Sequence, residues 1–167
     1  AGKDNPASEV LDLEELLRDL PDWVDPDHQH EFVFGDYLPR IQVPATAFQQ
    51  IIMNLVSNAI KHHDKDRGRI EIQCERVKSA LNISIIDDGP GIPQQFHQRI
   101  FRMFETLKRR DEVEASGIGL AIVERLVRSI NGAISVHSKD GQRGTRFMVT
   151  IPASVIVRET NNDSRDA

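Results

Sequence analysis

Apolar residues recur at helical and at alternating spacings along the chain, and these two patterns predict its main elements. In residues 45–63 the apolar positions fall three and four residues apart, which predicts a long amphipathic helix. Residues 69–77 and 80–87 alternate with period two, so they predict an antiparallel pair of strands around Lys78 and Ser79. The apolar side of the long helix comprises Phe48, Ile52, Leu55, Val56, Ala59 and Ile60.

Proline and glycine signals bound the other predicted elements. Pro21 would end a first short helix, since proline disrupts a helix interior. Asn131 and Gly132 would end the last helix, because both residue types accept the left-handed conformation that follows many helices. The remaining predicted elements are helices over residues 10–20, 94–104 and 117–130, extended segments on both sides of the Gly35-Asp36 turn, and strands over residues 133–138 and 145–152.

The order of these elements indicates the fold class. After the first helix it is β-β-α-β-β-α-α-β-β, which lacks the strict alternation of a doubly wound parallel sheet. We therefore predict an α/β two-layer sandwich, in which a mixed, mostly antiparallel sheet is covered by helices on one face. Both ends of the chain are polar, so we interpret residues 1–27 as an N-terminal linker with a short helix, 28–153 as the domain and 154–167 as a polar tail.

Composition narrows the classes of function. The chain has 167 residues, 39% of them hydrophobic and 28% charged, with a net charge of -5. An acidic balance argues against nucleic acid as a partner. No apolar run approaches the roughly 20 residues that span a bilayer, so no direct membrane contact is expected. The lone cysteine, Cys74, excludes an internal disulfide and a multi-cysteine metal site, which fits a cytoplasmic setting, although the parent protein could be membrane-bound.

The long helix carries a polar stripe opposite its apolar side. Asn54, Asn58, Lys61 and His62 fall together there. An asparagine oxygen is a hard neutral ligand suited to Mg²⁺, and a lysine one turn away can neutralise a phosphate. The alternative is an ordinary solvated helix face.

Two glycine-containing segments add to this interpretation. Asp87-x-Gly89-x-Gly91 follows a strand directly, so its carboxylate could accept a hydrogen bond from an amine such as that of adenine while the glycines admit a flat ring. A plain Asp-Gly turn is the alternative. Gly117 and Gly119 open a helix whose free N–H groups could hold an anion, unless Ser116 simply caps that helix.

Together these segments resemble the motifs of sensor histidine kinases. NLVSNAIKHHD resembles the N box, DDGPGI the first glycine box, IFRMFETL the F box, SGIGLAIV the second glycine box and GTRF the last one. The resemblance covers about residues 32–152. The short connection containing LKRRDE is similar to the phytochrome-like branch of these kinases.

The resemblance implies a Bergerat-type ATP-binding domain and a role for each matching residue. Asp87 would hold the adenine amine, Asn58 would bind Mg²⁺ with Asn54 supporting it, and Lys61 would approach the phosphates. A lid over residues 103–116 would bring Lys108, Arg109 or Arg110 to the γ-phosphate. The resemblance also implies His62 beside the ribose, Gly89 and Gly91 at the adenine wall, and Gly117, Gly119 and Leu120 over the triphosphate. The further ATP-binding residues that it implies are Ile92, Phe104, Ile118 and Thr145.

The same resemblance favours phosphate transfer over hydrolysis. Gyrase-, Hsp90- and mismatch-repair-type ATPases carry a water-activating glutamate where this chain has Asn54, which cannot act as a general base. We expect a kinase domain that phosphorylates a histidine on a separate dimerisation domain, with a response regulator as the indirect partner. His30 lacks the sequence context of that acceptor. The alternative is a nucleotide-dependent regulatory module, either a degenerate kinase or an anti-sigma-like serine kinase, which Ala115 in the second glycine box mildly favours.

Overall fold

Two sheets and three helices make up the described parts of the computed structural model, which are residues 7–102 and 117–159. The strands are β1 (Glu9–Asp12), β2 (Glu31–Phe34), β3 (Arg40–Val43), β4 (Arg69–Val77), β5 (Ala80–Asp87), β6 (Ala133–His137) and β7 (Thr145–Pro152). The helices are α1 (Leu13–Val24), α2 (Ala45–Lys61) and α3 (Gly117–Ser129), and single 3₁₀ turns cover Gln94–Phe96 and Ala153–Val155.

The main sheet is mixed and mostly antiparallel, as its strand order predicts. Its five strands run in the order β2-β4-β5-β7-β6, and only the β2–β4 pair is parallel. The hairpin of β4 and β5 pairs Val77 with Ala80, so the predicted turn at Lys78 and Ser79 is confirmed. Lys78 has a φ of 54°, a left-handed conformation that closes this tight turn.

Helices α2 and α3 pack against each other and cover one face of this sheet. The predicted apolar side of α2 is buried, with Ile52 1% exposed and Leu55 0% exposed, while Ile60 is half-buried against the same core. The α/β two-layer sandwich is therefore confirmed. Asn131, with a φ of 61°, ends α3, and the Gly132 N–H donates to the Val127 carbonyl oxygen, as expected of a left-handed helix end.

The first segment of the chain packs differently from its prediction. β1 pairs with β3 as a second, two-stranded sheet, so the predicted helix over residues 10–20 begins later, at Leu13. α1 also continues through Pro21 to Val24, because a proline removes only one helical hydrogen bond when its ring is accommodated. The leucines of α1 join the main core, namely Leu13, Leu16, Leu17 and Leu20.

A second difference concerns the helix predicted over residues 94–104. Up to Arg102, the described part of this segment is a 3₁₀ turn followed by further turns, in which most backbone bonds span three residues. Its apolar residues still pack inward. Ile100 is 5% exposed, and the Phe101 and Phe147 rings meet edge to face with centroids 6.1 Å apart. The helical spacing of these side chains therefore predicts correctly that they are buried. It predicts the wrong backbone conformation, since the segment forms turns and not a continuous helix.

The described chain ends alongside β3. Ile156 forms a bridge with Ile41, and the Val157 N–H donates to the Arg40 carbonyl oxygen. This pairing brings residues beyond β7 next to the sheet that β1 and β3 form. No helix in the described residues is long and apolar enough to cross a membrane.

Candidate nucleotide-binding site

The polar stripe of α2 lies where the sequence predicts it. Asn54 and Asn58 are half-buried, and Lys61 and His62, at the end of the helix, are exposed. His62 is the C-terminal cap of α2, and its N–H donates to the Asn58 carbonyl oxygen at 3.1 Å. The amides and the lysine thus lie on the side of α2 that does not face the sheet, open to a ligand or solvent.

Asp87 is the last residue of β5 and its carboxylate is tied to backbone on two sides. Its Oδ1 accepts the Gly89 N–H at 2.9 Å, and the N–H of the buried Thr145 also donates to this carboxyl group. Burial raises the pKa of Asp87, and these N–H donors only partly offset that effect. A desolvated carboxylate with acceptor positions to spare is suited to binding an N–H donor of a ligand.

The loop after Asp87 is held against the β6–β7 connection. The Gly144 N–H donates to the Gly89 carbonyl oxygen, and the Ile92 N–H donates to Ser138 Oγ at 3.0 Å. Gly91 has a φ of 81°, and a Cβ there would lie 2.9 Å from the Gln142 carbonyl oxygen, so only glycine fits. Ser138 is a residue that the motif analysis missed, since nothing local distinguishes it.

A hydrogen-bonded cluster behind this loop was also missed. His63 Nε2 lies 2.7 Å from Asp88 Oδ1, and this oxygen also accepts the Arg69 N–H at 2.8 Å. Burial alone would raise the pKa of Asp88, but the hydrogen bonds from Arg69 and His63 outweigh it and lower that pKa. Asp88 therefore stays ionised next to Asp87.

Arg143 connects the β6–β7 loop to the same cluster. Its guanidinium forms a bidentate ion pair with Asp64, at 3.0 and 2.8 Å, and donates twice to the Asp88 carbonyl oxygen, at 3.2 and 2.9 Å. Planar guanidinium groups suit such paired contacts. We call His63, Asp64, Asp88 and Arg143 the clasp, because they join the end of α2, the end of β5 and the β6–β7 loop.

The ion pair of the clasp predicts a specific titration. The hydrogen bond from Arg143 lowers the pKa of the exposed Asp64 to about 2. Because this folded-state pKa lies below the unfolded value of roughly 3.9, the pair contributes stability above about pH 4 that is lost as the pH falls towards 2. We expect the Asp64 carboxyl carbon to titrate by NMR with a midpoint of about 2, and near 3.9 in Arg143→Gln. Arg146→Gln, on the neighbouring strand, is the matched control, and an unmoved midpoint in Arg143→Gln would contradict the pairing.

Several predicted residues lie at the start of α3 or outside the described chain. Gly117, Ile118, Gly119 and Leu120 form the first turn of α3, and Leu120 is 9% exposed. Phe104, Lys108, Arg109, Arg110 and the rest of the predicted lid, residues 103–116, lie outside the described residues. Direct contacts therefore join Asp87, Gly89 and Thr145, while His63, which follows the polar stripe of α2, contacts Asp88 beside them.

His30 is a buried residue near the clasp. Its ring is 6% exposed and packs edge to face on the His63 ring, with centroids 6.1 Å apart. Its Nδ1 lies 3.4 Å from Asp25 Oδ1, and neither ring nitrogen has a hydrogen-bond partner in the described part of the chain. This burial supports a structural role for His30 and not that of a phosphate acceptor.

The motif residues gathered at the ends of β5 and α2 match a known family over most of the domain. Residues 44–155 match the family described as Histidine kinase-, DNA gyrase B-, and HSP90-like ATPase. The chain belongs to this family. Its relatives and structural neighbours include sensor histidine kinases, so the recognition drawn from the motifs is confirmed.

Two curated relatives illustrate what the chain is similar to. Cyanobacterial phytochrome A of Nostoc sp. is 38% identical over 127 residues, which are 76% of this chain and 16% of that protein. Alginate biosynthesis sensor protein KinB of Pseudomonas aeruginosa is 34% identical over 118 residues, 71% of this chain and 19% of that protein. The chain thus spans less than a fifth of the length of either relative. The phytochrome match bears out the resemblance to the phytochrome-like branch.

Solved structures agree with the fold. The mycobacterial sensor histidine kinase MprB has a TM-score of 0.74 at 25% identity, over 87% of this chain and 97% of that one. Full-length ShkA in complex with AMPPNP has a TM-score of 0.74 at 26% identity, over 87% of this chain and 31% of that one. The architecture described here is therefore that of histidine kinase catalytic domains.

Proposed function

We propose that this domain binds Mg-ATP and donates the γ-phosphate to a histidine on a separate dimerisation domain, in the cytoplasm, as part of two-component signalling. The observation that carries the proposal is Asp87. Its desolvated carboxylate, oriented by the Gly89 and Thr145 N–H groups, keeps acceptor capacity for the exocyclic amine of adenine. Gly89, Gly91 and Ile92 would form the wall beside the adenine ring.

The stripe on α2 supplies the phosphate end of the proposed site. Asn58 would provide one oxygen ligand to Mg²⁺, which keeps most of its waters and shares phosphate oxygens, and Asn54 would support it. Lys61 would neutralise phosphate charge, His62 would line the ribose side, and the first turn of α3 would close over the triphosphate. Phosphoryl transfer depends mainly on such positioning and charge neutralisation, to which Arg109 or Arg110 would add.

Transfer is favoured over hydrolysis by the chemistry of Asn54. An amide cannot take a proton from water, so the half-buried residue at this point of α2 is suited to ligand binding and not to water activation. The acceptor histidine and the response regulator would be partners outside this chain. A neighbour at 25% identity, histidine kinase ThkA, was solved in complex with the response regulator TrrA, which supports this class of partner.

A chimera tests the transfer step. We would fuse this chain behind a dimerisation hairpin that carries an acceptor histidine and supply γ-labelled ATP. The expected product is an acid-labile phosphate on the hairpin, absent when its acceptor histidine is changed to glutamine and absent in Asp87→Asn. ADP binding without any labelled product would indicate a regulatory binding module. An acid-stable label would indicate a serine kinase.

A further inference from the structure

His63 occupies a closed space directly behind the candidate site. Its side chain is 1% exposed and follows the last turn of α2. A Cβ built on Gly68 would lie 2.5 Å from two atoms of its ring, and one on Gly89 would lie 3.6 Å from it. Gly68 therefore leaves the room that this ring needs, while Gly89 lies at ordinary contact distance from it, and the enclosed position of the ring is built into the fold.

Hydrogen bonds fix one tautomer of the His63 ring. Nδ1 accepts the Lys65 N–H at 3.1 Å, so this nitrogen carries no proton. The proton is then on Nε2, which donates to Asp88 Oδ1 at 2.7 Å. A short hydrogen bond to an ionised carboxylate is among the stronger hydrogen bonds in proteins. The ring thus joins the end of α2 to the end of β5 through a donor of defined direction.

Asp88 transmits this link to the candidate adenine-binding residue. Successive side chains at the end of a strand point to opposite faces, so holding Asp88 on one side constrains where Asp87 points on the other. Asp88 is held by His63 Nε2–H and the Arg69 N–H at its carboxylate, and by Arg143 at its carbonyl oxygen. The Gly89 N–H donates to Asp87 Oδ1, and this hydrogen bond spans the same turn, with Asp88 at its centre.

We infer that His63 is a positioning residue of the nucleotide site: its Nε2–H, through Asp88, holds the Asp87–Gly89 turn in the conformation that receives adenine. This inference rests on the proposed function and deepens it, because it adds a residue that acts through Asp88 to the residues proposed to bind the nucleotide. A donor at the Nε2 position is the property that matters. The acceptor at Nδ1 serves only to select the tautomer.

Two substitutions separate the donor from the ring. His63→Asn keeps an acceptor near the Nδ1 position and loses the donor to Asp88, whereas the longer amide of His63→Gln can place an N–H there. Mg-ADP affinity is measured by calorimetry, and hydrogen exchange of the Gly89 amide by NMR without nucleotide. We expect His63→Asn to weaken Mg-ADP about tenfold and to speed Gly89 exchange by a similar factor. His63→Gln should recover most of both, and His28→Asn, an exposed histidine, should change neither.

The outcomes distinguish this inference from the proposed function. Unchanged Gly89 exchange in His63→Asn, or equal defects in His63→Asn and His63→Gln, would overturn the positioning role. If the wild-type chain bound no Mg-ADP, the proposed function would fail while Gly89 exchange would still decide the role of His63. Should His63→Asn not fold, Asp88→Ala removes the same bond from the other side and must speed Gly89 exchange. A ring ¹⁵N spectrum showing the Nδ1–H tautomer would also overturn the inference.

Discussion

Replacing Asp87 with asparagine is expected to abolish the stabilisation of this domain by Mg-ADP. Ligand at about 100 times its dissociation constant adds about 2.7 kcal/mol to the unfolding free energy. For a chain of this size that corresponds to a rise in Tm of about 5–10 °C. Asparagine can still accept the Gly89 N–H, but its own N–H₂ would face the adenine amine, so donor would meet donor. Thermal unfolding with and without Mg-ADP measures the effect.

The thermal unfolding of Asp87→Asn without nucleotide distinguishes a loss of nucleotide binding from a loss of folding. Burial raises the pKa of Asp87 in the folded state. Ionisation of Asp87 therefore lowers the unfolding free energy at pH values above the pKa of this group in the unfolded chain. The uncharged asparagine is therefore expected to unfold at the same temperature as wild type or higher at pH 7. Asp66→Asn, an exposed change in the loop before β4, should keep the full response to Mg-ADP. An Asp87→Asn domain that Mg-ADP still stabilises by several degrees would place the adenine elsewhere.

Leu20→Ala is expected to destabilise the domain by about 2–5 kcal/mol, the range for truncating a fully buried leucine. Leu20 is 1% exposed on α1 and belongs to the main core. The loss would be a large part of a total stability of about 5–15 kcal/mol. Urea unfolding followed by circular dichroism measures this change in unfolding free energy. An unchanged m value would show that the variant buries the same surface area on folding as wild type.

The matched control for Leu20 is its neighbour in the sequence. Asp19 is exposed on the same helix, so Asp19→Ala should change the unfolding free energy by no more than about 0.5 kcal/mol. Equal and small effects of both substitutions would mean that α1 is a dispensable linker. A large effect of Leu20→Ala alone would establish the first helix as part of the folding unit.

Local patterns were enough to predict the central elements. The period of α2 identifies its buried side because a helix repeats every 3.6 residues wherever it packs. The alternation of β4 and β5 predicts a sheet with one buried face for the same reason. Asn131 ends α3 because its own conformation is left-handed, a property of that residue and its immediate neighbours.

Predictions that depended on distant contacts were less accurate. Pro21 lies inside α1 because packing of the leucines on the core outweighs one missing hydrogen bond. Residues 94–102 form turns, with the Gln94 N–H donating to Asp140 and the His97 ring nitrogen within 2.8 Å of the Ile92 carbonyl oxygen. Pairing of β1 with β3 was missed because each strand is only four residues long and its partner is remote in sequence.

The sequence by itself determined the family, the two-layer fold and the chemical types at the candidate site, because motif residues within one helix or one turn are arranged by local geometry. Asp87, Gly89 and Gly91 are of this kind. Only the tertiary structure decided how that turn is held. His63, Asp88 and Arg143 are separated by 25 and 55 residues in the pairs they form. No local sequence pattern shows which loops come into contact, since that depends on how the sheet and helices pack around one core.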